Sequence, residues 1–405
     1  MAGPLEGIRV IEVASWMFVP SGGSVLVDWG ADVIKVEPMT GDPQRGLISS
    51  GLLPGGAGGV NFMVEQPHRG KRSIGLDLSH PDGREALMML VESADVFLTN
   101  YLPPIRRKLG IDTDDIRARN PNIIIARGSG TGPKGPDAEK GGYDGASFWA
   151  RGGMGMTLPE RADGWPSAQP APAFGDVMGG LTTAGAIAAA LLKRERTSEP
   201  SVVDVSLLAT AMWQLSPLVV ASKLFGFSKI PQGDRTKNPN PGVSNYKTKD
   251  GRFISLILLQ SDKFWADLVT RLGLPDMVPD ERFADSAARA QNAEACIARL
   301  DGAFGSMTLA ELTEAFDGFE GVWATYQTLD ELYEDPQVIA NGYLPSMTAG
   351  NGQEVQLVAS PAQFDEVPIT VERAPEHGEH TELLLMDLGY DWDQIAAMKE
   401  SGAIL

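Results

Sequence analysis

One carboxylate stands where covalent chemistry is feasible. Asp176 lies in Phe174-Gly175-Asp176-Val177-Met178-Gly179-Gly180, where a Gly/Pro-rich stretch gives way to an apolar helical pattern. Aspartate is a common helix N-cap, and that role alone would explain it. The position also suits a nucleophile. A helix N-terminus stabilises an anion, glycines let a substrate approach the backbone, and an ionised, accessible carboxylate can form an acyl intermediate.

Other groupings offer less. Gly130-Thr131-Gly132-Pro133-Lys134-Gly135 has G-x-G-x-x-G spacing after a strand pattern, but Pro133 and Pro136 interrupt it. With no helix opening behind it to receive a pyrophosphate, nicotinamide and flavin are not expected. His377-Gly378-Glu379-His380 has no third ligand nearby in sequence, and Gly378 weakens a helix, so this reads as a surface segment and no metal is expected. Arg69, Lys71 and Arg72 form one basic cluster and Arg106, Arg107 and Lys108 another. They are either phosphate contacts or solvated surface. Gly51 to Gly59 reads as a mobile loop, and there is no Walker or G-x-S-x-G motif.

The elements that must position these groups begin with alternating strand and helix patterns. Strands are expected at 8–13, 32–36, 73–78, 95–99 and 122–126. Helices are expected at 21–29, from a Ser79 cap to about Ser93, and at 112–120. Such alternation implies a parallel sheet covered on both faces. Residues 131–174 are irregular but carry Tyr143, Phe148, Trp149, Trp165 and Phe174, which favours an ordered, site-forming segment. Long helices follow at 176–196 and 206–225, then a proline-containing linker from Pro231 to Asn245. Beyond it, Asp250-Gly251 marks a hairpin, helices are expected at 262–272 and 286–304, and Thr308-Leu309-Ala310-Glu311 is a capping box. Short strands and a terminal helix at 379–388 complete the pattern. The domains read as 1–230, 235–328 and 329–405, the middle one smaller and α+β.

The chain has 405 residues, 43% of them hydrophobic, enough for a large core. A net charge of −19 disfavours nucleic acid and anionic membranes. The most apolar stretch, 181–192, is too short and Ala/Gly-rich to span a bilayer. No signal peptide is visible, and the expected location is cytoplasmic. The lone Cys296 falls in an amphipathic pattern as a buried structural thiol.

Taken in order, several motifs resemble class III CoA-transferases, the family of formyl-CoA transferase, carnitine CoA-transferase and α-methylacyl-CoA racemase. They are Pro4-Leu-Glu-Gly-Ile-Arg-Val-Ile-Glu-Val13, Gly30-Ala-Asp-Val-Ile-Lys-Val-Glu37, Lys71-Arg-Ser-Ile-Gly-Leu-Asp77, Ala94-Asp-Val-Phe-Leu-Thr-Asn100, Gly142-Tyr-Asp144, Gly175-Asp176 and Arg373-Ala-Pro-Glu-His-Gly-Glu-His-Thr381. The resemblance implies an α/β fold in which both chain ends build a Rossmann-like large domain around an inserted smaller α+β domain, and two chains interlock as a homodimer. It implies that Asp176 exchanges coenzyme A between an acyl-CoA and a free carboxylic acid through an aspartyl anhydride and an enzyme–CoA thioester, with the flanking glycine amides at the oxyanions. Coenzyme A, a substrate and acyl carrier, would then meet Ser15, Met17, Phe18, Leu76, Asn100, Tyr101, Lys108, Tyr143 and Asp144. Pro38 stands where formyl-CoA transferase has an adenine-side arginine, and Lys108 where it has another. The racemases carry His-Asp where this chain has Tyr143-Asp144; racemisation needs an acid–base group on each face, and tyrosine suits that role poorly, so transfer is favoured. No tetraglycine loop occurs near 230–260, so formyl or oxalyl specificity is not expected. Trp149, Met154, Met156 and Trp165 suggest a larger acyl pocket. The alternatives are an acyl-CoA racemase or epimerase and a CoA-binding scaffold without turnover.

Overall fold

The computed structural model describes residues 3–48, 59–159, 161, 163–229 and 233–405. The expected mobile loop at 51–59 lies, except for Gly59, outside the described residues. The chain divides into two compact units, Met1–Ile230 with Pro336–Leu405 and Pro231–Asp335.

The first unit is built on six parallel strands: β1 (Arg9–Val13), β2 (Asp32–Glu37), β3 (Arg72–Gly75), β4 (Val96–Thr99), β5 (Ile124–Ser129) and β6 (Val202–Ser206). Their order is β3-β2-β1-β4-β5-β6. The helices between them are α1 (Phe18–Asp28), α2 (Phe62–His68), α3 (Pro81–Glu92), α4 (Pro103–Leu109), α5 (Thr113–Arg119) and α6 (Phe174–Thr197), and α7 (Leu207–Gln214) and α8 (Ser216–Phe225) follow β6.

Successive strand residues point to opposite faces, so a sheet covered on both sides needs apolar residues at nearly every position. Val10, Val33, Val96 and Ile124 pack with α1 and α6, while their neighbours Ile11, Ile34, Phe97 and Ile125 pack on the other side. That second side includes α3 and two helices from the chain's end, α14 and α15, described below.

The second unit holds antiparallel β7 (Val243–Lys247), β8 (Phe253–Ile257) and β9 (Trp323–Thr325), with α9 (Ser261–Arg271), α10 (Ser286–Gln291), α11 (Ala293–Phe304) and α12 (Leu309–Ala315). The β7–β8 turn carries Gly251 at φ +86°, and the Thr308–Glu311 capping box forms at α12. Cys296 is buried in this unit's core. The chain re-enters the first unit with α13 (Pro336–Asn341), β10 (Ser346–Thr348), β11 (Glu354–Gln356), α14 (Thr381–Asp387) and α15 (Trp392–Glu400).

The elements depart from expectation at several points. β6 is an added edge strand, half-exposed and interrupted by Asp204, so it lacks the buried apolar run that marks the inner strands. His80 rather than Ser79 caps α3, accepting the Asp82 N–H, while the Ser79 hydroxyl bonds Asp77. The helix expected at 206–225 is two helices meeting at 70°, because Pro217 is tolerated only in a first turn. Residues 286–304 break likewise at Asn292, and α15 follows the helix expected to be terminal. α6 extends beyond the apolar core at 181–192 and has the length and composition to cross a bilayer, yet nearly half of its apolar stretch is buried in the protein.

α1 and α6 approach backbone to backbone through glycines. A Cβ on Gly180 would lie 2.1 Å from Ser21 Oγ and 2.7 Å from Gly22 N, and one on Gly179 would lie 2.4 Å from the Phe18 ring. Gly180→Ala is therefore expected to destabilise the protein by about 1–3 kcal/mol through overpacking. Urea unfolding would measure this, and a midpoint equal to the parent's would refute the close-approach argument.

Candidate active site

At the ends of β1 and β2 the chain buries ionised side chains. Lys35 and Lys71 converge on Glu12, Lys71 Nζ lying 2.8 and 3.0 Å from its oxygens and Lys35 Nζ 3.5 Å away. Lys35 also lies 2.8 Å from Asp42 Oδ2 and donates to the Ala14 carbonyl at 2.8 Å; Lys71 donates to the Pro20 carbonyl at 2.7 Å. Glu37 accepts from Arg45, from the Ser73 hydroxyl and from the Asp42 N–H. Burial opposes charge on Lys35, but Asp42, Glu12 and Glu37 together raise its pKa. Burial prevails at Lys71, pulling it down to about 8. At Glu37 burial is outweighed by Arg45 and Lys35, which hold the carboxyl at about 2.

These charges fix the loop after β1. Asp42 accepts the Trp16 N–H at 3.0 Å, and Trp16 holds a left-handed φ of +70°. Non-glycine residues adopt this conformation only where surroundings impose it. Ser15 is tied across to the end of β4, its N–H donating to Asn100 Oδ1 at 3.1 Å and its carbonyl accepting from Asn100 Nδ2 at 2.7 Å. β1 and β4 flank the point where the strand order reverses, the place where open parallel sheets form a ligand crevice.

The start of α6 faces this crevice. A π-helical turn, Asp144–Ala150, packs against it, and Asp144 Oδ1 accepts the Gly175 N–H at 3.1 Å. The N-cap is Ala173, left-handed at φ +60° with no side-chain cap, and Asp176 sits in the first turn. A Cβ on Gly175 would strike Phe148 at 2.2 Å and Asp144 at 2.5 Å, so only glycine admits these two side chains.

A cavity of about 360 Å³ opens between these parts, lined by Ser15, Trp16, Phe18, Pro43, Asn100, Tyr101, Leu102, Ile105, Tyr143, Asp176 and Leu207 with glycines from β5 and residues 141–142. Tyr101 also walls a second cavity of about 340 Å³ lined by Pro38, Met39, Leu76, Leu78, Ser79 and Leu109. Asp176 is half-buried, and its carboxyl is pushed up to about 7 by desolvation and then by the Asp144 charge. The helix N-terminus was expected to favour its anion; instead the Gly175 amide serves Asp144, and burial dominates. That amide was also expected to be free for an oxyanion, and it is engaged.

Of the residues singled out in the sequence, Ser15, Phe18, Asn100, Tyr101, Tyr143 and Asp176 meet at the first cavity and Leu76 at the second. Met17 and Asp144 are buried and line neither, and Lys108 is exposed on α4. The cluster at 69–72 is not a phosphate site: Arg69 pairs with Asp28, Lys71 with Glu12 and Arg72 with Asp32. Arg106 and Arg107 likewise pair with Asp112 and Glu139. His377 bonds the Pro38 carbonyl, and His380 Nδ1 accepts the Ser73 N–H. Trp149, Met154, Met156 and Trp165 do not line the first cavity. Trp16 does, with its ring edge-on to Tyr143 at 5.6 Å, and so do Pro43, Leu102 and Leu207. These four escape a motif reading; only the position of Trp16 in the loop after the first strand signals it.

Comparison with known proteins gives one answer throughout. The sequence model for "CoA-transferase family III" matches residues 5–381. The (R)-2-hydroxy-4-methylpentanoate CoA-transferase of Clostridioides difficile is 31% identical over 402 residues, 99% of each chain. The cinnamoyl-CoA:phenyllactate CoA-transferase of Clostridium sporogenes is 30% identical over 99% of this chain and 97% of its own. A crystal structure of a CAIB/BAIF family protein from Brucella suis superposes with a TM-score of 0.79 at 30% identity, covering 96% of this chain and 100% of that one.

The buried charges carry a test of their own. Lys71→Met leaves Glu12 with one distant cation, and breaking a buried pair from one side costs about 3–5 kcal/mol. Chemical denaturation should register that loss; a change below about 1 kcal/mol would show that Lys71 is dispensable.

Proposed function

The chain belongs to CoA-transferase family III and is a class III CoA-transferase; from that premise we propose that Asp176 is its covalent nucleophile. The supporting observation is the partly exposed Asp176 carboxyl in the wall of a cavity at the strand-order switch point. One carboxylate oxygen attacks the acyl-CoA carbonyl. The C–S bond breaks, and the thiolate leaves with the electron pair, giving an aspartyl anhydride. The thiolate then attacks the aspartyl carbonyl, releasing the first carboxylate and leaving an enzyme–CoA thioester. An acceptor carboxylate runs the sequence in reverse.

In this reading the first cavity holds the acyl group together with the sulfur end of the pantetheine arm, against Ser15, Phe18, Asn100 and Tyr143. The arm passes Tyr101 to the second cavity, where Leu76 and Pro38 meet the nucleotide and Lys108 on α4 meets a phosphate. Among the described residues no lysine, arginine or histidine lines the first cavity, while Trp16, Phe18, Leu102, Ile105 and Leu207 do. A second carboxylate on the acyl group would lie there unpaired. The proposed substrates are therefore CoA esters of monocarboxylic acids with a branched or aromatic apolar side chain, as in the 2-hydroxy-4-methylpentanoate, cinnamoyl and phenyllactate groups named for the two clostridial relatives.

The 3-2-1-4-5-6 strand order supports reading the large unit as Rossmann-like. A homodimer, interlocked as the resemblance implies, is supported by the apolar side chains of Trp213, Val220, Leu224 and Phe225, exposed on α7 and α8. A single buried cysteine accords with a cytoplasmic setting.

Asp176→Ala is expected to bind CoA yet exchange none, and hydroxylamine added during turnover should convert Asp176 to the hydroxamate in the parent protein. Since only the carboxylate attacks and this carboxyl titrates near 7, kcat/KM should rise with pH through that region. Exchange retained by Asp176→Ala would sink the assignment, as would α-proton exchange without an acceptor acid. A screen of donors against free acids should favour branched or aryl monocarboxylates over succinate by about tenfold or more. Preference for succinate would overturn the substrate class.

A further inference from the structure

We infer that Asp144 is a positioning residue for this reaction: through the Gly175 amide it fixes the first turn of α6, and through its charge it opposes the Asp176 carboxylate that must attack. The inference rests on the reading of Asp176 as the nucleophile.

The geometry sets Asp144 apart from an ordinary CoA contact. It is buried and does not line the cavity. Its Oδ1 takes the Gly175 N–H at 3.1 Å, and its Oδ2 takes Gln169 Nε2 at 3.3 Å. Since Ala173 caps α6 with no side-chain bond and in a left-handed conformation, a residue 31 positions upstream satisfies a first-turn amide. The direction in which Asp176 projects is therefore set by the π-helical turn.

Among the described residues the charge has no nearby counterweight. α6 carries no other ionisable residue before Lys193, and α7 carries none. On α1 the only one is Asp28, paired with Arg69; on the adjoining strands Arg127 of β5 pairs with Asp204 of β6, and β5 and β6 carry no others. The remaining titratable groups at the cavity are the phenols of Tyr101 and Tyr143. Repulsion between the two carboxylates raises the basicity of the attacking oxygen. It is relieved along the reaction, because the first carboxylate leaves carrying its charge and position 176 becomes a neutral thioester.

Asparagine separates the two roles. In Asp144→Asn the amide oxygen still accepts from Gly175 while the charge is gone. Gln169 Oε1, buried and without a hydrogen-bond partner among the described residues, can turn to accept from the new NH2 group, at the loss of the Nε2 donation to the Ala171 carbonyl. Asp144→Ala removes acceptor and charge together.

The test measures kcat/KM against pH, and the hydroxylamine label on Asp176, for the parent, Asp144→Asn and Asp144→Ala. The acid limb should move to lower pH in Asp144→Asn, by about one unit for one like charge. Asp144→Ala should lose about 10- to 100-fold in kcat through misplacement of Asp176, with Asp144→Asn faster than it at every pH. Asp176 should remain the labelled residue in all three. An unmoved acid limb in Asp144→Asn, or equal rates for the two variants, with the label still on Asp176, overturns the role of Asp144 and leaves the nucleophile standing. Absence of the label from the parent removes the nucleophile and this inference with it.

Discussion

The site depends on a buried balance of charge. Glu12, Glu37 and Asp42 face Lys35, Lys71 and Arg45 at the ends of the central strands, most of them sealed from water. Such a group adds little net stability, because desolvation offsets most of the attraction. What it supplies is definition. The two lysines also take the Ala14 and Pro20 carbonyls, and Asp42 takes the Trp16 amide. Loop 14–17 is thereby held at Ala14 and Trp16 in a conformation its own residues do not prefer, and the start of α1 beside it is held at Pro20.

Against α1 lies α6, brought close by glycines on both helices. A wider helix contact would carry Asp176 away from Ser15 and Asn100. Gly179 and Gly180 therefore serve the chemistry indirectly, and Gly175 serves it by making room for Asp144 and Phe148. The same packing that exposes Asp176 to the cavity strips it of most of its water, so its carboxyl titrates near neutrality rather than as a surface aspartate.

Five strands of the sheet were legible because a strand covered on both faces is a continuous apolar run: Val10-Ile11, Val33-Ile34 and Ile124-Ile125 each serve both faces. The hairpin at Gly251 and the capping box at Thr308 were legible for equally local reasons. Asp176 stood out by its glycines, and the ordered motifs pointed to the family. The partners of Arg69, Lys71 and Arg72 were not legible. Whether an arginine meets phosphate or a buried aspartate depends on residues about 40 positions away in sequence. The lining role of Leu207 and the capping of Gly175 by Asp144 are likewise long-range facts with no local signature.

The return of the chain to its first unit has a consequence for biosynthesis. The face of the sheet formed by Ile11, Ile34 and Phe97 is completed by Leu384, Leu385 and Ile395, and Leu76 bridges to Ile404. On the ribosome, β1 to β6 emerge long before the helices that cover this face. The 105-residue unit between them, Pro231–Asp335, is finished first. Nascent chains thus carry an open apolar surface through much of translation, the period in which such surfaces aggregate or recruit chaperones.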